Sequence, residues 1–282
     1  MARPSRVGLA TAIAYRQSGQ ILTPARGFMA AYDFVLNPYA GCGFGCDYCY
    51  ARAFAPTRDQ SETWGSWLAV KQNAVDLIRR AGRSRSEALV LRPGRAVYMS
   101  SVTDPYQPIE RDIGLTRDIL QVLLDYQPRL TIQTRSPLVT RDIDLLQQFE
   151  HLRVNLTITT DDDEVRRRYE PFCPSIEQRF AATRALRDAG IPIGISISPM
   201  LPIGDALAFG RRLRDLGATE YVSQYFKTEG MRFRAGSSAS AMLRAREDKW
   251  LVEQYGTARD LIQEGLGTEN RLLEGEEGYA PA

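Results

Sequence analysis

Histidine is nearly missing from this 282-residue chain, which holds only His151. Cysteine is scarce too: there are four, three of them within residues 42–49, and thiols so few and so placed exclude a disulfide framework. No apolar run reaches the roughly 18 residues that a membrane-spanning helix requires, so a membrane span is excluded. A net charge of +2 makes no global electrostatic case for nucleic acid. Lysine is rare, at Lys71, Lys227 and Lys249, and Arg carries the rest of the basic charge. Arginine suits bidentate phosphate contacts, although genome composition is the commoner origin of such a bias. There is no internal repeat. What remains is an ordinary globular composition, 44% apolar and 25% charged, in a length that fits one large α/β domain or two small ones.

The most informative stretch is Asn37-Pro38-Tyr39-Ala40-Gly41-Cys42-Gly43-Phe44-Gly45-Cys46-Asp47-Tyr48-Cys49-Tyr50. Its cysteines stand at i, i+4 and i+7, a spacing that would also share one helix face. Each Gly inside a helix costs about 0.8–1 kcal/mol relative to Ala, and Gly41, Gly43 and Gly45 together argue for a wrapping loop instead. Glycines let backbone N–H groups approach closely, as the sulfurs of a metal cluster require. Four-iron clusters are held by thiolates at short spacings and normally take four. Three with no nearby fourth leave one iron open to a small molecule. Structural zinc is the rival, and it would need Cys173 or His151 to close its tetrahedron. Near the N-terminus, Arg3 and Arg6 precede the short apolar stretch 7–14, which only faintly mimics a signal peptide. A labile cluster needs a reducing compartment, so the expected location is cytoplasmic.

Along the chain, residues 1–32 read as an irregular leader. Strands are expected at 33–36, 96–101, 130–134, 152–160, 191–198 and 221–226, with a further extended piece at 67–71. Helices are expected from an Asn73 N-cap to 81, then at 113–124, 142–149, 176–189, 206–216 and 239–264. Residues 83–95 form a basic loop, and the Gly/Glu-rich residues 265–282 read as a mobile tail. Alternating strands and helices imply a parallel sheet with right-handed crossovers. On the strand at 152–160, Asn155, Thr157 and Thr159 share one face; on the next, Gly194, Ser196 and Ser198 do. A closed barrel would fill that face with branched apolar residues, so small polar ones suggest a lumen for a polar ligand. The expected fold is α/β, a partial (β/α)6 barrel over 33–230, with the leader before it and a C-terminal helical extension over 231–282.

Active sites of α/β barrels gather at the C-terminal ends of the strands. Those ends read Ser100-Ser101-Val102-Thr103-Asp104, Arg135-Ser136, Thr159-Thr160, Ser198 and Gln224. Each is polar. Ordinary loop caps would explain any one of them, but several converge with the thiol loop.

The spacing Cys-x3-Cys-x2-Cys, with an aromatic before the third Cys, resembles the cluster loop of the radical S-adenosylmethionine (SAM) superfamily. Further runs resemble its spore photoproduct lyase-like, DNA repair photolyase-related branch: residues 36–42 with Cys49-Tyr50-Ala51-Arg52, and residues 101–110. Thr134-Arg135-Ser136 with Asp142, and Tyr169-Glu170-Pro171 followed by Arg179 and Gly190-Ile191-Pro192, complete the likeness. The resemblance implies a 4Fe-4S cluster on Cys42, Cys46 and Cys49. Its open iron would chelate SAM, which reductive cleavage converts to a 5′-deoxyadenosyl radical. Tyr48 would lie against the adenine, and Tyr48 with Tyr50 match a pair implicated in hydrogen-atom relay. Arg135 falls where the lyase has a Lys near the cofactor carboxylate, and Thr157 and Thr159 where it has small polar residues. Asp104 and Glu170 match acidic positions that contact ribose or orient an arginine. Ser101, Thr103 and Ser198 join the expected cofactor site as strand-end residues.

One departure stands out. Where the lyase carries its hydrogen-donating Cys, this chain has Ser101, whose O–H bond is too strong to replace a thiol. Cys173 is the spare thiol, a replacement donor or a small buried hydrophobe. The expected partners are SAM, an external electron donor of flavodoxin or ferredoxin type and, by family analogy, nucleic acid. Arg83, Arg85, Arg92 and Arg95, Arg166–Arg168, and Arg232-Phe233-Arg234 are the basic groups that could meet a phosphate backbone. The competing readings are modification of a peptide or small metabolite, and an iron–sulfur electron carrier or structural zinc protein.

Overall fold

The computed structural model describes residues 12–226, 239–250 and 252–282. Its strands are β1 (Ala12–Arg16), β2 (Leu22–Pro24), β3 (Phe34–Leu36), β4 (Tyr39–Gly41), β5 (Trp67–Lys71), β6 (Ala96–Met99), β7 (Arg129–Thr134), β8 (Leu152–Thr157), β9 (Ile193–Ile197), β10 (Glu220–Ser223) and β11 (Leu272–Glu274). Its helices are α1 (Arg58–Glu62), α2 (Ala74–Gly82), α3 (Glu110–Ile113), α4 (Leu115–Leu123), α5 (Ile143–Leu146), α6 (Asp163–Tyr169), α7 (Ile176–Asp188), α8 (Ala206–Arg214), α9 (Ala239–Glu247) and α10 (Val252–Leu266). Among the described residues no helix is long and apolar enough to cross a membrane.

The main sheet runs β11-β10-β9-β8-β7-β6-β3-β2. Every pairing in it is parallel except that of β2 with β3. The six strands expected from sequence, β3 and β6 to β10, are all here and adjacent, and the fold is the expected partial barrel. A small sheet, β1-β5-β4, stands beside it. Val154, Leu156, Ile193, Ile195 and Ile197 are buried on the helix-covered face. The other face is concave and lined by polar side chains. Across it the Tyr98 hydroxyl donates to Gln133, and Gln133 donates to Thr157 at 2.7 Å.

Residues 265–282 do not behave as a mobile tail. Leu272–Glu274 pair in parallel with β10, and residues 275–282 then run through the lumen. Tyr279 is buried there; its phenol lies 3.2 Å from Ser196 Oγ, and its ring meets Tyr98 and Phe28 edge-on. The Ala280 carbonyl accepts from Tyr32 and Arg153, and that of Ala282 from Arg129. The polar lumen face is therefore met in part by the chain itself. Gly/Glu-rich composition hid this, because Leu272 and Tyr279 find their places only on a sheet edge and a lumen made elsewhere.

Other differences have local causes. The helix expected over 113–124 is α4, and Gly114, whose φ is +71°, sets it off from the unforeseen short α3 before it. The helix expected over 142–149 is only the short α5, Ile143–Leu146, with a 3-10 turn, Pro137–Asp142, leading into it. That expected over 239–264 is two helices, with Lys249 at φ +51° between them. Asn73 stands at the start of α2, but its side chain bonds the backbone of Ser18 in both directions at 2.9 Å and leaves the helix uncapped. The leader contains β1 and β2. Helix α6 went unforeseen because it is short, with only Val165 and Tyr169 apolar, and it begins on the Asp162 cap.

Candidate functional site

The thiol loop leaves β4 at the C-terminal mouth of the parallel strands and ends in a 3-10 turn, Tyr50–Phe54. Gly41 has φ +77°, and a Cβ there would strike the Trp67 backbone. The glycine N–H groups have protein acceptors: Gly43 N donates to Gln107 Oε1 at 2.7 Å and Gly45 N to the Cys42 carbonyl at 3.2 Å. In this structure, then, they hold the loop's shape. Asp47 N donates to the Tyr169 carbonyl at 3.0 Å, and its carboxylate pairs with Arg244 of α9.

Cys42 and Cys46 are buried, Cys49 is partly buried, and all three are free thiols. Burial pushes the Cys42 thiol up and Cys49 to about 11. Cys46 is held lower, first by its hydrogen bond with Cys173 and also by the Arg135 charge, against the opposing effect of burial. Cys173 is buried with its sulfur 3.5 Å from that of Cys46. Among the described residues no three His, Cys, Asp or Glu side chains converge on a single-ion site. His151 immediately precedes β8, at the end of the strand away from the loop, so it does not complete a zinc tetrahedron. Three free thiols at short spacings on one wrapped loop are the kind of donor set that iron–sulfur clusters use.

Beside the loop lies a buried charge centre. The Glu170 carboxylate accepts from Arg135 Nη1 at 2.7 Å, from Thr159 at 3.0 Å, and from Tyr48 and Arg179 over short contacts. Burial alone would raise its pKa, but Arg179 and Arg135 together outweigh that and hold it at about 2. Arg135 Nη1 also lies 3.2 Å from Cys46 Sγ and 2.8 Å from the Tyr48 oxygen. Arg179 is wholly buried and further tied to the carbonyls of Thr157 and Pro174. Cys46, Cys173, Tyr48, Arg135, Thr159 and Glu170 thus form one contiguous group.

The remaining expected residues surround that group. Asp104 accepts from Thr134 Oγ1 and from the backbone of Tyr106 and Arg135, so it shapes the strand ends. Thr103 donates to the Gly41 carbonyl at 2.7 Å, while Asn37 donates to Ser101 Oγ at 3.2 Å. The Tyr50 hydroxyl donates to the Ser101 carbonyl. Thr157 faces the lumen on Gln133, and Ser198 meets the Tyr279 phenol. Sequence reasoning did not assign Arg179, Gln107, Glu110 or Tyr279 to the site. Glu110 is fully buried and accepts from Tyr39, Arg141 and the Thr116 backbone. Arg179 was legible in principle, as a charge inside the stripe Ile176, Phe180, Thr183 of α7; such a residue needs a buried partner.

Among the described residues, several members of the basic runs are paired with carboxylates, Arg83 and Arg85 not being among them. Arg92 pairs with Glu87, and Arg95 with Asp33. Arg166 and Arg167 pair with Asp163, and Arg168 with Asp248 and Glu247. Residues 232–234 lie outside the described residues.

A family model for the radical SAM superfamily matches residues 36–206. An uncharacterized protein of Methanocaldococcus jannaschii is 40% identical over 169 residues, 60% of this chain and 61% of that protein, so this chain spans less than two thirds of that relative's length. A radical SAM Nα-GlyT isomerase of Pseudomonas phage M6 is 26% identical over 169 residues, 59% of this chain and 33% of the isomerase. Among solved structures, spore photoproduct lyase complexed with dinucleoside spore photoproduct is similar at TM-score 0.56 and 15% identity, over 94% of this chain and 71% of the lyase chain. Streptococcus suis SuiB bound to S-adenosylmethionine is similar at TM-score 0.50 and 11% identity, over 85% and 49%. At these identities the structural likeness is one of fold.

Proposed function

The chain belongs to the radical SAM superfamily, whose members are enzymes using a 4Fe-4S cluster and SAM, and from that premise we propose that it binds the cluster on Cys42, Cys46 and Cys49 and acts on nucleic acid. When bound and reduced, the cluster supplies the electron that cleaves SAM to a 5′-deoxyadenosyl radical. The observation that carries this reading is the three-thiol loop at the mouth of the parallel strands, with the Arg135 guanidinium on the Cys46 sulfur. That cation offsets thiolate charge in a buried site and is placed to receive the methionine carboxylate of SAM. Glu170 fixes its direction, and Arg179 keeps Glu170 ionised. Tyr48, in the same network, provides a ring for the adenine and, with Tyr50, the hydroxyls for hydrogen-atom relay. Thr157, Thr159, Asp104, Ser101, Thr103 and Ser198 complete the polar wall. Cys173, sealed behind Cys46, is assigned to the support of that ligand in preference to hydrogen donation. The electron comes from a flavodoxin- or ferredoxin-type donor in a cytoplasmic setting.

The nucleic-acid assignment draws support from the fold shared with a lyase crystallised with a dinucleoside photoproduct. With Ser101 in place of a thiol, the product-forming hydrogen transfer differs from one that uses a Cys donor. The test is to reconstitute the protein anaerobically, reduce it with dithionite, add SAM and quantify 5′-deoxyadenosine by mass spectrometry. Slow release is expected without substrate, and each of Cys42→Ala, Cys46→Ala and Cys49→Ala should abolish it together with cluster binding. Full iron in the triple variant would sink the assignment.

A further inference from the structure

A cavity of about 120 Å³ lies between the two ends of the thiol loop and the small sheet. Tyr39, Phe54, Trp64 and Trp67 line it with aromatic surface, and Lys71 stands in its wall. Two of the chain's three tryptophans are therefore here. They meet edge-on, with ring centroids 5.9 Å apart. Trp67 Nε1 donates to the Gln60 carbonyl at 2.7 Å, whereas Trp64 Nε1 is buried with no hydrogen-bond partner. A buried indole N–H ordinarily has an acceptor. Phe54 is 51% exposed, and Tyr50 sits edge-on to it. Among the described residues no carboxylate pairs with the Lys71 ammonium, which burial makes less basic. Asn37 and Val102 also border the cavity, and Asn37 joins Ser101 and Val102 by hydrogen bonds. The cavity therefore adjoins the ends of β3 and β6, where the catalytic mouth opens.

We propose that this cavity is a nucleobase subsite. It takes a base of a single-stranded nucleic acid beside the reacting nucleotide, with the ring against Phe54 and the tryptophans and a phosphate at Lys71. A planar base fits the aromatic lining, and an anion satisfies the lysine. An aromatic peptide side chain would supply the ring and leave the lysine without its counter-charge. Arg92, Arg95 and Arg166–Arg168 are already paired with carboxylates, whereas Lys71 gives the substrate strand a cationic contact in the cavity wall. The inference rests on the nucleic-acid reading above and supplies its recognition element.

The test uses the anaerobically reconstituted protein and a single-stranded DNA octamer carrying 2-aminopurine, whose emission is quenched by stacking. Saturable quenching is expected. Phe54→Ala should weaken it about tenfold, the scale of one lost base–aromatic stack. Lys71→Gln should weaken it and lower the slope of log affinity against log salt by about one. Unchanged affinity in both variants overturns the proposal, as does quenching reversed by N-acetyltryptophanamide and not by a nucleoside monophosphate. Measuring 5′-deoxyadenosine in the same preparations separates the two readings. Cofactor cleavage without quenching overturns the subsite and leaves the radical chemistry standing. Quenching without cleavage supports the subsite while removing the radical chemistry.

Discussion

Glu170 sits fully buried between Arg135 and Arg179, and its charge aims both of them. Its folded pKa of about 2 lies below the ordinary unfolded value near 4.3, so its ionisation stabilises the fold above that value. The contribution is lost as pH falls from about 4.5 toward 2. Glu170→Gln leaves two buried guanidinium groups short of a counter-charge, at a cost of about 3–5 kcal/mol near neutrality. Urea unfolding at pH 7 and at pH 3.5 should show the gap between parent and variant narrowing in acid; an equal gap would mean the carboxylate is not the ionised partner. Cys173 calls for a different measurement. Hydrogen bonds to cluster sulfurs help set reduction potential, and the Cys173 thiol lies 3.5 Å from Cys46 Sγ. Cys173→Ala should therefore retain iron and cofactor cleavage while moving the potential of the reconstituted cluster to a more negative value. Loss of iron would make Cys173 a ligand instead.

The strands were legible as elements because alternation of apolar and polar residues survives any arrangement of the sheet. Ile193, Ile195 and Ile197 had to lie opposite Gly194 and Ser196 whatever stood beside them. Helix breaks were less so: Gly114 sits in a periodic apolar segment, and only its left-handed backbone separates α3 from α4. The last segment was misjudged because its order comes from elsewhere in the chain. Deleting residues 275–282 removes the buried Tyr279 and the chain-end backbone oxygens that accept from Tyr32, Arg129 and Arg153. Thermal denaturation should place this truncation well below Tyr279→Phe, which loses only the phenol hydrogen bonds, about 1 kcal/mol. Similar melting temperatures would show that the lumen does not depend on this segment.

At the scale of the whole molecule, the thiol loop is tied to three separate regions. Gln107 holds Gly43, the end of α6 holds Asp47 N, and Arg244 of α9 holds the Asp47 carboxylate. A ligand that binds the folded state alone stabilises it by mass action, so the reconstituted protein should melt at a higher temperature than the cluster-free one. Arg244→Ala should reduce that difference and the iron retained after gel filtration. Equal retention would mean that α9 does not steady the loop.

By itself the sequence determined the α/β class, the six parallel strands and the thiol stretch as a wrapping loop in place of a helix. These follow from local periodicity, glycine placement and cysteine spacing, all written over short stretches of chain. Only the tertiary structure decided that Arg135 meets Cys46 and Glu170, that Arg179 reaches Glu170, that Tyr279 enters the lumen and that Trp64, Trp67 and Phe54 share a cavity with Lys71. Each of those contacts joins residues from different elements. Their energies depend on burial and on the distance between charges, which local sequence patterns do not encode.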